Sequence, residues 1–357
     1  HLIILDAGKI VLPFVIGASI YRRARDARDL LMVTAMAGVV YSPLIMLEAR
    51  LSPQLHDWVY GFAQHDFMQT IRFGGFRPMV FMNHGLAVAI FIAASVLATS
   101  GLARSGSPVF EFRTSRVGPF LGWILLLCKT VGAMFYALLG WLVMSFLSAR
   151  AQLRVGFVLV GLLLAYPLLR SQGLIPTDDL VSTATDLVDA DRAQSLEFRL
   201  VNEEALLDRA LERPLFGLGT MGRACIYDRW SGDELSTRDG AWIITLGERG
   251  FVGFFLVFGL LVFPMLAARQ ASLVQGGPGL LVGAVAMIAG IYAFDLIPNG
   301  RYAYFCHFFA GALAGLGSGI VAERQKRRRG RPRSSPGADA PADAPPLPEA
   351  VPNHGPY

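Results

Sequence analysis

The sequence predicts an all-α fold, a polytopic helical membrane protein, and three observations carry that prediction. Apolar residues gather into blocks close to 20 residues long, the length a helix needs to cross about 30 Å of hydrocarbon. Charge is scarce: 17% of the 357 residues are Asp, Glu, Lys or Arg, against roughly 25% in a soluble chain. Between the blocks lies one long polar stretch, 171–239, with 14 acidic residues and 7 arginines. The same pattern argues against a β-barrel, whose strands alternate apolar and polar over about 10 residues.

About nine transmembrane segments follow from the apolar blocks: 2–20, 31–47, 79–101, 118–128, 130–148, 154–170, 241–267, 278–297 and 302–322. The first already begins inside an apolar run at His1. The chain therefore reads as a fragment whose upstream helices are missing, and no cleavable signal peptide is seen. Arginine and lysine in short loops favour the cytoplasm. Arg22, Arg23, Arg25 and Arg28 place the first loop inside. Arg104, Arg113 and Arg116 place 102–117 there, and Arg150 and Arg154 do the same for the next connection. The tail 323–357, with seven basic and four acidic residues, is the strongest inside signal.

These assignments constrain Val117–Ala149, because both of its ends must lie inside. One straight helix of that length would run about 50 Å and leave its ends on opposite faces. The segment must go out and come back, and the natural break is Cys128-Lys129-Thr130. An outgoing arm as short as 118–128 is tolerated where protein buries it or a wet cavity borders it. Lys129 is expected at the turn, facing that cavity, although a lysine near a membrane surface ordinarily snorkels. Counting from this break places loops 48–78, 171–240 and 298–301 outside, on one face with Arg72, Arg77 and Arg301. The organisation is a membrane domain over 1–322 that contains the extracytoplasmic loop 171–239, then the tail 323–357. That tail is basic at first and then rich in Pro and Ala, and reads as disordered and cytoplasmic. A cytoplasmic anchor explains its basic run better than nucleic acid does, so no nucleic-acid partner is expected.

Cys128, Cys225 and Cys306 are far apart and suggest neither a disulfide framework nor a zinc site. His56-Asp57 and His65-Asp66 repeat in one loop, but no third cluster with ligand spacing accompanies them, and no metal or cofactor is expected. His84 reads as a cavity residue or a satisfied core histidine. Asp295 is a costly intramembrane acid that could pair with Arg301 or line a cavity.

The polar loop holds Glu197-Phe198-Arg199-Leu200 and then a helix-compatible run ended by Pro214. Pro214-Leu215-Phe216-Gly217-Leu218-Gly219 follows, with Gly222-Arg223 beyond it; its glycines permit a tight backbone near a ligand. No strand precedes this run and no Walker lysine follows, so it is not a nucleotide loop. Next come Arg238-Asp239-Gly240 and Gly247-Glu248-Arg249-Gly250-Phe251-Val252-Gly253, where a hydrophobic helix opens. Upstream, Arg72-Phe73-Gly74-Gly75-Phe76-Arg77-Pro78 leads into Asn83-His84-Gly85, and Cys128-Lys129-Thr130-Val131-Gly132-Ala133 marks the broken helix. In this order, over roughly 70–320, the motifs resemble the O-antigen ligase and O-antigen polymerase family of bacterial envelope glycosyltransferases. Two positions depart from the family pattern. Asp239-Gly240 stands where ligases usually have histidine and a small polar residue, and Lys129 stands for the usual arginine.

The resemblance implies an enzyme of the bacterial inner membrane. It would ligate or polymerise an undecaprenyl-diphosphate-linked glycan onto a glycan or lipid acceptor, in O-antigen or exopolysaccharide assembly. Membrane lipids and envelope polysaccharide assembly proteins would be its other partners. Transfer leaves a lipid diphosphate, whose charge arginine forks suit. Arg77, Lys129, Arg199 and Arg223 are the candidate diphosphate ligands; ordinary headgroup contact is the plainer explanation of each. The attacking sugar hydroxyl needs a general base. Asp239 is the first candidate, unless it merely caps a helix, and Glu248 the second, unless it is only an ion pair with Arg249. The alternatives are a transporter or flippase of an anionic glycolipid, or a non-catalytic membrane partner in an envelope assembly complex. A transporter favours matching halves, and no internal repeat is seen here.

Overall fold

The computed structural model describes residues 7–64, 67–177, 179, 181–182, 190–274, 276–300 and 303–329, and it is mostly helical. The chain forms two units, His1–Val321 and Ala322–Tyr357. The second is described only over 322–329, where it is helical, so the rest of the tail lies outside the described residues. Among the described residues, six helical stretches are long and apolar enough to cross a membrane: Ala24–Leu51, Gly85–Arg104, Ala149–Ser171, Ala241–Leu273, Gly277–Asp295 and Tyr304–Glu323. Gly8–Ile20, Thr114–Leu127 and Val131–Phe146 are apolar but shorter.

The helices relevant to the site are α1 (Leu12–Ile20), α2 (Ala24–Leu51), α3 (Leu55–Tyr60), α4 (Gly85–Arg104), α5 (Thr114–Leu127), α6 (Val131–Phe146), α7 (Ala149–Ser171), α8 (Ala190–Leu211), α9 (Ala241–Gly259), α10 (Val262–Ala267), α11 (Gly277–Asp295) and α12 (Ala303–Arg329). A two-stranded antiparallel hairpin, β1 (Ile71–Arg72) and β2 (Gly75–Phe76), lies between α3 and α4. Small residues let the helices approach closely, as packing without a hydrophobic drive requires. On α12, Gly311, Gly315 and Gly319 recur every fourth residue and face the backbone of Phe14, Ala18, Tyr21 and Arg22 at and just beyond α1. Gly156 of α7 lies against Ala286 and Gly290 of α11 in the same way.

The segment read as an out-and-back pair is broken at the expected place. α5 ends at Leu127, α6 begins at Val131, and between them Lys129 adopts a left-handed conformation with φ 48°. Both arms pack on α4. Arg104, at the end of α4, donates to the carbonyls of Met144 (2.7 Å) and Ser145 at the end of α6. The break itself meets the β1–β2 hairpin near the start of α4, so the two arms run antiparallel. A groove of about 650 Å³ opens between α4 and these arms, walled by Ser100, Arg104, Ser115, Pro119 and Trp141.

A second break lies inside α9. Gly250 has φ 64° and ψ −173°, a combination almost confined to glycine. Freed backbone groups at such a break need partners, and the Pro214–Gly219 strip supplies them. Leu218 N donates to Gly247 O (2.8 Å) and Gly219 N to Glu248 O (3.0 Å). In return Phe251 N donates to Pro214 O (2.7 Å) and Val252 N to Leu215 O (3.2 Å). A Cβ at Gly217 would collide with the backbone of Glu248 and Arg249, and one at Gly250 with that of Leu215. The two glycine motifs of the sequence therefore clasp each other, which is the structural use of glycines expected to approach a ligand.

Candidate functional site

The polar helix α8 carries an apolar stripe, Leu206, Leu207 and Ala210, which is buried and belongs to the same core as Trp242, Ile243 and Leu246 of α9. Glu203 falls on that stripe, three and four residues before Leu206 and Leu207, and so points an acid into the contact. Three side chains meet it. Tyr166 of α7 donates its hydroxyl to Glu203 Oε2 (3.0 Å), and Trp242 donates Nε1–H to Oε1 (2.7 Å). Arg170, on the last turn of α7 and only 8% exposed, lies 3.7 Å from Glu203 and 3.6 Å from Glu204, and donates to Leu200 O (3.3 Å). Burial raises the Glu203 carboxyl above the usual 4.5, and the charge of Asp239 pushes the same way. The bonds from Tyr166 and Trp242 and the Arg170 charge oppose that shift without cancelling it.

Beside this buried network lies an accessible pair. Arg199 Nε stands 3.2 Å from Asp239 Oδ2, with each side chain roughly two-fifths exposed. An ion pair so exposed contributes at most about 1 kcal/mol, so stability does not account for it. Asp239 is not the helix cap: Gly240 is the N-cap residue of α9, and it makes no side-chain cap bond. The position of Asp239 is set instead by the loop after α11. Ala241 N donates to Leu296 O (3.0 Å) and Asn299 O (3.3 Å), and Gly300 lies against Asp239 O. Buried Asp295 shapes that loop by accepting a bond from Asn299 Nδ2 (2.8 Å); Arg301 lies outside the described residues. Arg199, Glu203 and Asp239, with Tyr166, Thr237 and Pro298, line one cavity of about 130 Å³. Two carboxylates of unlike environment and a cation thus face one space, an arrangement able to take a proton and hold an anion.

The other candidate residues sit elsewhere. Arg77 Nη2 donates to Lys129 O (3.4 Å), so these two are neighbours. Lys129 Nζ donates to the carbonyls of Arg72 (3.1 Å) and Phe73 (3.4 Å) and lies over Gly75, where a Cβ would strike it. Lys129 therefore pins the β1–β2 hairpin to the helix break. Glu248 pairs with its neighbour Arg249 at 2.9 Å and lines a separate, smaller cavity with Arg238 and Ala224. Arg223 is exposed and stands beside Gly219. His84 caps α4 by accepting from Leu86 N (3.0 Å), and His56 Nδ1 is bonded to Phe62 O (2.8 Å). Among the described residues no group of three or more His, Cys, Asp or Glu is placed to hold a metal; His65 and Asp66 lie outside them.

Glu203, Arg170, Tyr166 and Trp242 were not singled out by the sequence reading. One signal was available: Glu203 is an acid on the apolar stripe of an amphipathic helix, where it demands partners. Comparison with protein-family models, with curated proteins and with solved structures finds no match.

Proposed function

We propose that this chain is a membrane glycosyltransferase that moves a glycan from an undecaprenyl-diphosphate carrier onto a sugar acceptor, by ligation or polymerisation, at the outer face of the bacterial inner membrane. The observation that carries this reading is the exposed Arg199–Asp239 pair opening on a cavity backed by Glu203. The arginines of the short connections, Arg22, Arg104, Arg150 and Arg154, belong to the opposite end of the helices, which supports an outward-facing cavity.

In the proposed reaction the Asp239 carboxylate takes the proton of an acceptor hydroxyl as its oxygen attacks the anomeric carbon. The bond from that carbon to the diphosphate oxygen breaks, and its electron pair leaves with the lipid diphosphate. Arg199 meets the developing charge by a charge-assisted bond; Arg223 and Arg77, which do not line this cavity, take no part in that step. Lys129 holds the hairpin that precedes Arg77. Glu203, half-buried and raised, keeps Tyr166 and Arg170 in place behind Asp239, and the Glu248 carbonyl serves the clasp at the α9 break.

The test is transfer by the purified protein in liposomes holding a lipid-diphosphate-linked glycan and an acceptor. Longer or transferred glycan, lost in Asp239→Asn and Arg199→Ala at normal protein levels, is the expected result. Passage of the intact glycolipid across the bilayer without transfer would replace this reading with a flippase.

A further inference from the structure

The end of the helices remote from Asp239 carries a second polar feature that glycosyl transfer does not use. Arg150 and Arg154 on the first turns of α7 and Arg269 just past α10 line one cavity of about 330 Å³. Its remaining wall is apolar: Leu153, Phe157, Met265, Leu266 and Leu273, with Ser272 between. Phe157, Leu266 and Leu273 are exposed, in a chain built of membrane-length helices, so this wall opens toward lipid. Among the described residues none of the three arginines has an ion-pair partner.

That arrangement is unfavourable without an anion. Arg150 and Arg154 are four residues apart on one helix face, where like charges repel. They also sit at the positive end of the helix dipole. Arg269 arrives from more than 100 residues further along the chain and adds a third positive charge. A phosphate between them would relieve the repulsion and accept guanidinium forks. An acyl chain leaving that phosphate would meet Phe157 and Leu266 rather than water.

We propose that this cavity is a binding site for an anionic phospholipid, with the headgroup phosphate held by Arg150, Arg154 and Arg269 and an acyl chain laid against Phe157 and Leu266. Basic pockets between membrane helices bind anionic headgroups by this chemistry. The apolar wall selects a lipid over free phosphate. The site is independent of the glycosyltransferase reading and would stand if that reading fell.

The experiment uses the full chain, purified in a neutral detergent, with phosphatidylglycerol, phosphatidylcholine or inorganic phosphate added. Retained lipid is counted by native mass spectrometry, and Tm is measured alongside. Phosphatidylglycerol is expected to be retained and to raise Tm. Phosphatidylcholine and phosphate should do neither. The Arg150→Gln/Arg154→Gln double variant should bind phosphatidylglycerol at least about tenfold more weakly. Should that variant fail to fold, Arg269→Gln and Arg269→Lys decide the matter: loss in the first with retention in the second supports the site. Equal retention by wild type and variants, equal retention of phosphatidylcholine, or a Tm rise with phosphate alone would overturn it, leaving the arginines as signals of orientation only.

Discussion

The helix breaks at Lys129 and at Gly250 are stitched by different means. At Cys128–Thr130 the stitch is a side chain: the Lys129 ammonium bonds two carbonyls of the β1–β2 hairpin. At Gly250 the stitch is backbone: four N–H to C=O hydrogen bonds join Gly247–Val252 to Pro214–Gly219. A side-chain stitch engages the very charge that sequence reasoning offers to a ligand. A backbone stitch leaves the neighbouring side chains available, and among the described residues the Arg199–Asp239 pair has no other ion-pair partner and is open to solvent. Cations with similar prospects in the sequence thus have different physical tasks, decided by which of them the fold already uses.

The largest effect expected from breaking this contrast is at Gly250. Gly250→Ala adds about 1–3 kcal/mol of backbone strain and drives a Cβ into the Leu215 carbonyl. A loss of about 3 kcal/mol or more in unfolding measurements is expected, and an unchanged Tm would refute the clasp. Next comes Asp239→Asn. Removing a general base costs about 100-fold or more in rate, so transferred glycan should vanish while protein accumulates normally; substantial turnover would assign the proton to another group. Lys129→Met removes both charge-assisted bonds and should cost about 1.5 kcal/mol, read as faster proteolysis at 71–76 with some transfer retained. A complete loss of transfer with the hairpin still protected would instead make Lys129 a ligand of the substrate.

The smallest effect is a pH dependence. The folded Glu203 carboxyl is raised above 4.5, so the native state binds this proton more tightly than the unfolded chain does. The stability it contributes is full below 4.5 and is lost as pH rises through the folded value. Glu203→Gln cannot titrate, so its stability relative to wild type should improve as pH rises from 4.5 toward neutrality. A flat difference across that window would mean that burial does not dominate at this site.

Much of the helical framework was legible because it follows from local rules. Apolar block length gave the helices, and the polar Cys128-Lys129-Thr130 inside an apolar run marked the break that forms there. The run before Pro214 was read as helix-compatible, and it forms the end of the helix Ala190–Leu211. The clasp was not legible, although both of its motifs were noticed. Its partners lie some 30 residues apart, and the bonds use backbone atoms that carry no sequence signature. The same limit applies to Glu203. Its neighbours Tyr166 and Trp242 come from helices on either side of the polar stretch, and only folding brings them within hydrogen-bond reach.

The clasp at Gly250 has a mechanical consequence for access to the carboxylates. The polar segment is riveted at both edges, to α7 through Arg170, Tyr166 and Glu203, and to α9 through the amide ladder. A flap fastened on two sides does not swing up from a hinge. Molecules that reach Asp239 must therefore use the opening already present beside Arg199, whose walls are fixed before anything arrives.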